Sequence, residues 1–121
     1  MSHSSKNVHV VTSATFDAEV LRSPVPVLVD FTATWCGPCK ALARVMERVA
    51  DETAGSVRCV MVDVDDAPDV ATRYGVRSVP TVIAVHRGEK VAMHVGLTSR
   101  EKLLGMLPAE PSRHDPSRLA G

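Results

Sequence analysis

Hydrophobic and polar residues follow two different spacings along the chain, and each change of spacing marks a new element. Residues 25–31 and 57–64 are nearly continuous apolar runs, which is typical of strands covered on both faces of a sheet. From Pro38 to Gly55 the apolar residues instead recur three and four positions apart, with charged residues between them. This spacing predicts an amphipathic helix between two buried strands.

The N-terminal part of the chain has a weaker pattern of the same kind. Residues 8–11 have the composition of a strand, and Phe16 and Val20 lie four apart, on one face of a following helix. Thr12 and Ser13 are residue types that accept hydrogen bonds from the first amides of a helix, so we expect one of them to cap it.

The C-terminal half continues the alternation of strands and helices. Residues 65–75 predict a short helix, and residues 80–96 predict an antiparallel hairpin that turns at residues 87–89. Residues 98–107 begin with Thr and Ser and predict a closing helix. The order βαβαβαββα predicts an α/β fold, with a partly parallel sheet covered on both sides.

Length, composition and charge predict the number of domains and the cellular compartment. We expect one domain over residues 8–107, a flexible polar stretch at residues 1–7 and a disordered proline-rich tail at residues 108–121. Fourteen basic and fourteen acidic residues cancel, which argues against binding to nucleic acid or to an anionic membrane. Without a signal-peptide core or a membrane-length apolar run, the sequence predicts a cytoplasmic protein in a reducing compartment.

The candidate chemistry lies in the sequence WCGPC at residues 35–39, where the central strand gives way to the long helix. Pro38 suits the first turn of that helix, because the missing N–H costs nothing there. Cys36 would then lie beside unpaired backbone amides and the positive end of the helix dipole, which lowers the pKa of its thiol. Cys39 lies three residues on, on the same side of the helix, so the two sulfurs can bond. We expect Cys36 to attack a disulfide and Cys39 to resolve the mixed disulfide.

Two other interpretations of the cysteine pair stay open from the residues alone. The pair could be half of a zinc site, but zinc needs four ligands, and Cys59, His86 and His94 provide no second pair at matching spacing. The pair could also be chemically inert. Cys59 itself lies within a predicted strand, and we expect it to be a buried, unreactive thiol.

Several segments resemble the thioredoxin family over about residues 8–107. They are VDF at 29–31, WCGPCK at 35–40, VDVDDAP at 62–68, YGVRSVPT at 74–81, RGE at 87–89 and VG at 95–96. The resemblance implies the thioredoxin fold, a five-stranded mixed sheet flanked by four helices. It also implies a cytosolic, monomeric protein-disulfide reductase without a bound cofactor or metal. Its partners would be disulfide-containing client proteins and thioredoxin reductase, an NADPH-dependent flavoenzyme.

The resemblance also assigns roles to two residues outside the cysteine motif. Asp30 is a carboxylate within an apolar strand, where it would transfer a proton for Cys39; otherwise it is a strand-end residue that points into water. Pro80 would follow a cis peptide bond and face the cysteines, whereas the base rate for X–Pro bonds favours an ordinary trans proline. The implied client-binding surface contains Trp35, Gly37, Pro38, Val64, Ser78, Val79, Val95 and Gly96. The alternative for Val64 and Val95 is that they are plain core residues, and each could serve partly in both ways.

Three residues depart from the pattern of the family. Met61 replaces a lysine near the predicted buried aspartate, and the loss of that cation should raise the pKa of Asp30. Thr32 replaces a tryptophan. Arg44 replaces a proline that kinks the long helix, so we expect a straighter helix here.

Two alternative functions therefore stay in view. The first is a binding module in which the cysteines are incidental and the surface around Trp35 holds a partner. The second is a disulfide oxidant or isomerase, which Gly37 and Pro38 disfavour because they supply no donor or cation that would stabilise the Cys36 thiolate further.

Overall fold

The protein is described here by a computed structural model that covers residues 7–108. A five-stranded mixed sheet forms its centre, in the order β1-β3-β2-β4-β5. The strands are β1 (Val8–Val10), β2 (Val27–Thr32), β3 (Arg58–Asp63), β4 (Thr81–His86) and β5 (Glu89–Val95). The helices are a short π-helix (Asp17–Leu21), α1 (Gly37–Glu52), α2 (Pro68–Arg73) and α3 (Arg100–Gly105). The predicted α/β fold with five strands and four helices is confirmed.

Strand β2 occupies the middle of the sheet, because it is parallel to β3 on one side and antiparallel to β4 on the other. Its residues from Val27 to Phe31 are all buried, as the continuous apolar run predicted. Alternate side chains of β2 point to opposite faces. Val29 and Phe31 therefore lie on one face, and Leu28 and Asp30 on the other.

Two hydrophobic clusters cover these two faces. The first packs the π-helix and α2 against the sheet through Val20, Val70 and Phe31. The second packs α1 and α3 against it through Leu42, Met46 and Leu103. The helix layers thus hold β2 from both sides, and its carboxyl end at Thr32 is fixed before the chain enters α1.

The first helical segment differs from the prediction. Neither Thr12 nor Ser13 caps it, and the helix begins after Phe16 without a side-chain cap. The Thr12 amide instead donates to Thr15 Oγ1 at 3.0 Å, and the Ser13 hydroxyl donates to the Asp69 carboxylate. Both candidate caps are therefore engaged in other contacts. The predicted burial of Phe16 is confirmed.

The hairpin and the closing helix agree with their sequence signals. Arg87 and Gly88 form a two-residue turn with φ of 55° and 82°, the left-handed pair that suits the twist of two antiparallel strands. Ser99 caps α3, since its hydroxyl accepts the Lys102 amide at 3.1 Å. Helix α1 continues uninterrupted past the exposed Arg44.

The predicted flexible N-terminal stretch and the predicted disordered tail fall largely outside the part of the chain that the structure describes. Residues 1–6 of the N-terminal stretch and residues 109–121 of the tail are not included. Among residues 7–108, none of the helices has both the length and the apolar character needed to span a bilayer.

Candidate active site

The cysteine pair lies at the junction of β2 and α1. Cys36 is the N-cap residue of α1, and its Sγ accepts the backbone N–H of Cys39 at 3.1 Å. Pro38 occupies the first turn, as predicted. The Cys36 sulfur thus lies at the amide end of a 16-residue helix, which is where a developing thiolate is stabilised.

The two sulfurs form a disulfide. The Cα atoms of Cys36 and Cys39 are 5.3 Å apart, and the side chains are 5% and 1% exposed. Ala33 packs with them, and Val64 and Val79 contact this small cluster from the loops after β3 and before β4. Cys36 is thus slightly the more exposed of the two residues.

Asp30 is fully buried on β2, two residues before the strand ends. Its register partners are Met61 on β3 and Val82 on β4. Burial raises the pKa of the Asp30 carboxyl to about 7, and neither of its oxygens has a hydrogen-bond partner among residues 7–108. The structure thus places Asp30 in the sheet interior, not in water at the strand end.

The Val79–Pro80 peptide bond is cis. On one side of it, Val79 contacts the cysteine cluster. On the other, the Pro80 carbonyl accepts the Gly96 amide at 2.8 Å, which ties the start of β4 to the end of β5. The Thr81 hydroxyl closes the turn by donating to the Ser78 carbonyl at 2.7 Å.

A cleft of about 140 Å³ opens beside the disulfide. Its walls bring together four residues of the predicted client surface, Trp35, Val64, Ser78 and Val79. The remaining four are not among the residues that line it. Gly37 and Pro38 are exposed at the start of α1, and Val95 and Gly96 lie where β5 meets Pro80. Val64 is only partly buried and Val95 is exposed, so neither is a plain core residue.

Two contacts near the disulfide were not predicted from the sequence. The Trp35 indole N–H donates to Asp65 Oδ2 at 2.8 Å, and the Lys40 ammonium donates to the Thr34 carbonyl at 3.0 Å. Trp35 follows β2, and Asp65 follows β3. Because the carboxyl ends of parallel neighbouring strands meet at one edge, the strand order could have suggested the first contact.

A second cleft, of about 480 Å³, opens on the other side of the pair, where it reaches Cys39. Thr32 and Met61, two of the departures from the family pattern, contribute to its walls. Asp63 and Lys40 also line it.

The third cysteine, Cys59, is fully buried in β3 opposite Leu28. Burial raises the pKa of its thiol to about 12, with a further contribution from the charge of Asp30. Residues 7–108 contain no group of three or more His, Cys, Asp or Glu side chains placed to hold a metal ion.

Comparisons with known proteins agree with this geometry. The thioredoxin family model matches residues 7–109. The chain is 47% identical over 93 residues to thioredoxin 1 of Nostoc sp., covering 77% of this chain and 87% of that protein. It is 44% identical over 97 residues to thioredoxin 1 of Synechococcus elongatus, covering 80% and 91%. It is 40% identical over 94 residues to the thioredoxin of Rickettsia felis, covering 78% and 90%.

A family model that spans most of the chain and relatives above 40% identity agree with the helix-capping cysteine pair. The chain therefore belongs to the thioredoxin family, the thiol–disulfide oxidoreductases, and Cys36 and Cys39 form a disulfide at the start of α1.

Proposed function

We propose that the protein reduces disulfides in client proteins, with Cys36 as the nucleophile and Cys39 as the resolving thiol. The observation that carries this assignment is the position of Cys36 Sγ at the start of α1, where it accepts the Cys39 amide. A sulfur in that place is stabilised as a thiolate by the helix dipole, by roughly 0.3–1 kcal/mol, and by the amide hydrogen bond. The more buried Cys39 is held within bonding distance of the sulfur that it must attack.

The exchange then takes place in two steps. The Cys36 thiolate attacks one sulfur of the client disulfide; an S–S bond forms between protein and client, and the other client sulfur leaves as a thiolate. The Cys39 thiolate next attacks Cys36 Sγ, which forms the Cys36–Cys39 disulfide and releases the second client sulfur. The client gains two electrons and the protein loses two.

Asp30 is proposed to take up the proton that Cys39 loses in the second step. Leu28, two residues earlier on the same face of β2, packs in the cluster formed with α1, the helix that carries Cys39. A carboxyl group with a pKa of about 7 can both accept and return a proton near neutral pH. The Asp30→Asn variant should therefore accumulate the mixed disulfide with the client.

Client segments are proposed to bind in the cleft beside Cys36, between Trp35 on one side and Ser78 and Val79 on the other. The cis peptide bond at Pro80 would present the Val79 backbone to an extended peptide. The other proposed contacts are Gly37, Pro38, Val64, Val95 and Gly96.

We further propose that the protein acts as a monomer in the cytoplasm and that thioredoxin reductase reduces its disulfide. The family membership supports this setting.

The test is reduction of insulin by dithiothreitol, followed by turbidity. The wild-type protein should accelerate precipitation, and Cys36→Ser should not; equal rates would contradict the proposal. Cys59→Ala is the matched control, because it removes a cysteine that lies outside the pair. The Cys39→Ser variant should trap insulin in a mixed disulfide. Retention of insulin by the double variant Cys36→Ser, Cys39→Ser would instead favour a binding module.

A further inference from the structure

Exposed apolar side chains are concentrated on β5. Six large apolar side chains among residues 7–108 are exposed, and four of them lie between residues 91 and 97. Val91, Met93 and Val95, here called the β5 stripe, are 49%, 38% and 57% exposed. Met93 and Val95 pair with Ile83 and Thr81 on β4 and therefore share one face, whereas Val91 lies at the register shift and has no partner on β4. This face of β5 has no cover among the described residues, although the neighbouring Ile83 on β4 lies in the core.

The backbone of the same residues points to the open edge of the sheet. Strand β5 is the last in the strand order, so only β4 pairs with it. The Gly96 amide donates to the Pro80 carbonyl, so Gly96, and with it His94 and Ala92, directs its backbone groups toward β4. In an antiparallel ladder the intervening residues, Met93 and Val95, direct theirs outward. The β5 stripe therefore combines exposed apolar side chains with unpaired strand amides.

The end of the stripe at Val95 lies next to the hydrogen bond that joins β5 to the cis-proline turn. Val95 precedes Gly96, whose amide is bonded to Pro80, and Val79 on the other side of Pro80 contacts the cysteine cluster. From Val95 to Val91 the strand spans about 14 Å. An extended polypeptide with its disulfide at Cys36 could therefore continue along the edge of β5 without a break in the apolar surface.

Charge does not restrict this surface to clients of one sign. The charged residues of β5 are Glu89 and Lys90, which have opposite signs and lie at the end away from the disulfide. The Lys90 ammonium lies 3.9 Å from the Met93 sulfur. The edge thus selects by apolar contact and by backbone pairing.

We propose that the β5 stripe and the free edge of β5 bind an extended apolar segment of the client, a few residues from the disulfide that Cys36 attacks. The segment would pair with β5 as a sixth strand. This inference rests on the proposed reductase function and extends its client-binding surface. A second copy of the chain fits the edge less well. Three exposed side chains are far from the roughly 1,000 Å² that a stable interface between two folded chains needs.

The experiment uses synthetic peptides that share one disulfide loop and differ in a seven-residue tail. The tail alternates Thr with Val in one peptide and Thr with Ser in the other, and each is made with the tail before or after the loop. The second-order rate constant for reduction by the pre-reduced protein is followed by Trp35 fluorescence. In the orientation that can pair with β5, we expect the Val tail to react about tenfold faster, because it buries part of the stripe.

Two variants assign the effect to β5. In the double variant Val91→Thr, Met93→Thr, which has a β-branched residue with good strand propensity at both positions, the ratio between Val and Ser tails should fall to about one. Val10→Thr is the matched control, because Val10 is 73% exposed on β1, at the opposite edge of the sheet, and this variant should keep the ratio. A Val tail with N-methylated amides should lose the advantage, because it cannot pair with β5; an unchanged advantage would contradict the pairing.

The outcomes separate the inference from the function on which it rests. If the wild-type protein reduces both peptides at equal rates in both orientations, the inference is wrong and the reductase function stands. If it reduces neither, the proposed function has failed. If light scattering shows a dimer that Met93→Thr dissociates, the stripe is a self-interface and the inference is overturned.

Discussion

Cys36 and Cys59 are both almost inaccessible to solvent, with 5% and 0% exposure, yet the fold gives them opposite chemistry. Cys36 caps α1, and its sulfur accepts a backbone amide. Cys59 lies inside the sheet among aliphatic side chains, where burial raises the pKa of its thiol to about 12. Exposure therefore does not separate the two thiols. The difference is that amides of a helix point at one sulfur and apolar groups surround the other.

The Asp30 carboxyl bears on the surroundings of both Cys59 and the Cys36–Cys39 pair. Its burial keeps the carboxyl protonated up to about pH 7, and its negative charge further disfavours a thiolate at Cys59. The Asp30 carboxyl is also the proposed proton acceptor for Cys39. One buried carboxyl would thus promote ionisation of Cys39, the proposed resolving thiol, and oppose ionisation of Cys59.

Alkylation is expected to show the largest contrast between the two thiols. At pH 7, five units below a pKa of about 12, only about 10⁻⁵ of Cys59 is thiolate. In the reduced protein, iodoacetamide should therefore modify Cys36 at least about 1,000-fold faster than Cys59, as measured by mass spectrometry of the peptides. In urea both should react at similar rates. Comparable rates in the folded protein would break the contrast.

The pH dependence of stability should reveal the buried carboxyl. Its folded pKa of about 7 is above the ordinary value of 3.8, so between these values the unfolded chain ionises first and stability falls as pH rises. Three units correspond to roughly 4 kcal/mol, lost between about pH 4 and pH 7. Asp30→Asn cannot ionise, and its unfolding free energy relative to wild type should rise by that amount across this window. Urea unfolding of the oxidised proteins measures it; a constant difference would refute the shift.

A cation opposite Asp30 should lower its pKa. Met61 is the register partner of Asp30 on β3, and in Met61→Lys the ammonium group would stabilise the carboxylate. We expect the Asp30 pKa to fall by about one unit or more. NMR titration of the carboxyl carbon measures the shift. Met61→Gln is the control, since it changes the side chain without adding charge, and an equal shift in that variant would argue against a charge effect.

Removal of the buried thiol should have the smallest effect. Cys59→Ala leaves a small cavity and should cost about 1 kcal/mol of unfolding free energy. The rate of client reduction should stay within about twofold of wild type, because Cys59 lies outside the redox pair. A tenfold slower rate in a folded Cys59→Ala protein would assign Cys59 a part in the exchange.

Much of the fold was predictable because its signals are local. The apolar run of β2 required cover on both faces, and the structure provides it. The three- and four-residue spacing gave α1, and a serine cap gave the start of α3. Pro38 placed Cys36 at the helix terminus for the same kind of reason, since a proline in the first turn fixes where the helix begins.

Features that depend on pairing between distant segments were harder to predict from the sequence. Ser13 is drawn away from capping by Asp69, a residue 56 positions along the chain. The approach of Asp30 to Cys59 and the contact of Trp35 with Asp65 both require the register of β2 against β3. The hairpin that contains the β5 stripe was predicted, but the exposure of the stripe depends on which helices cover which part of the sheet.

The central place of β2 has a consequence for how the protein is inactivated. Phe31, which lies near the end of β2 and shortly before the disulfide, pairs with Val62 on β3 and with Thr81 on β4. Detaching it requires the sheet to separate at its middle, so fraying of β1 or β5 leaves the redox pair in place. Amides of β2 should exchange with deuterium only through whole-molecule opening, and heating should abolish activity and tertiary structure at one common temperature.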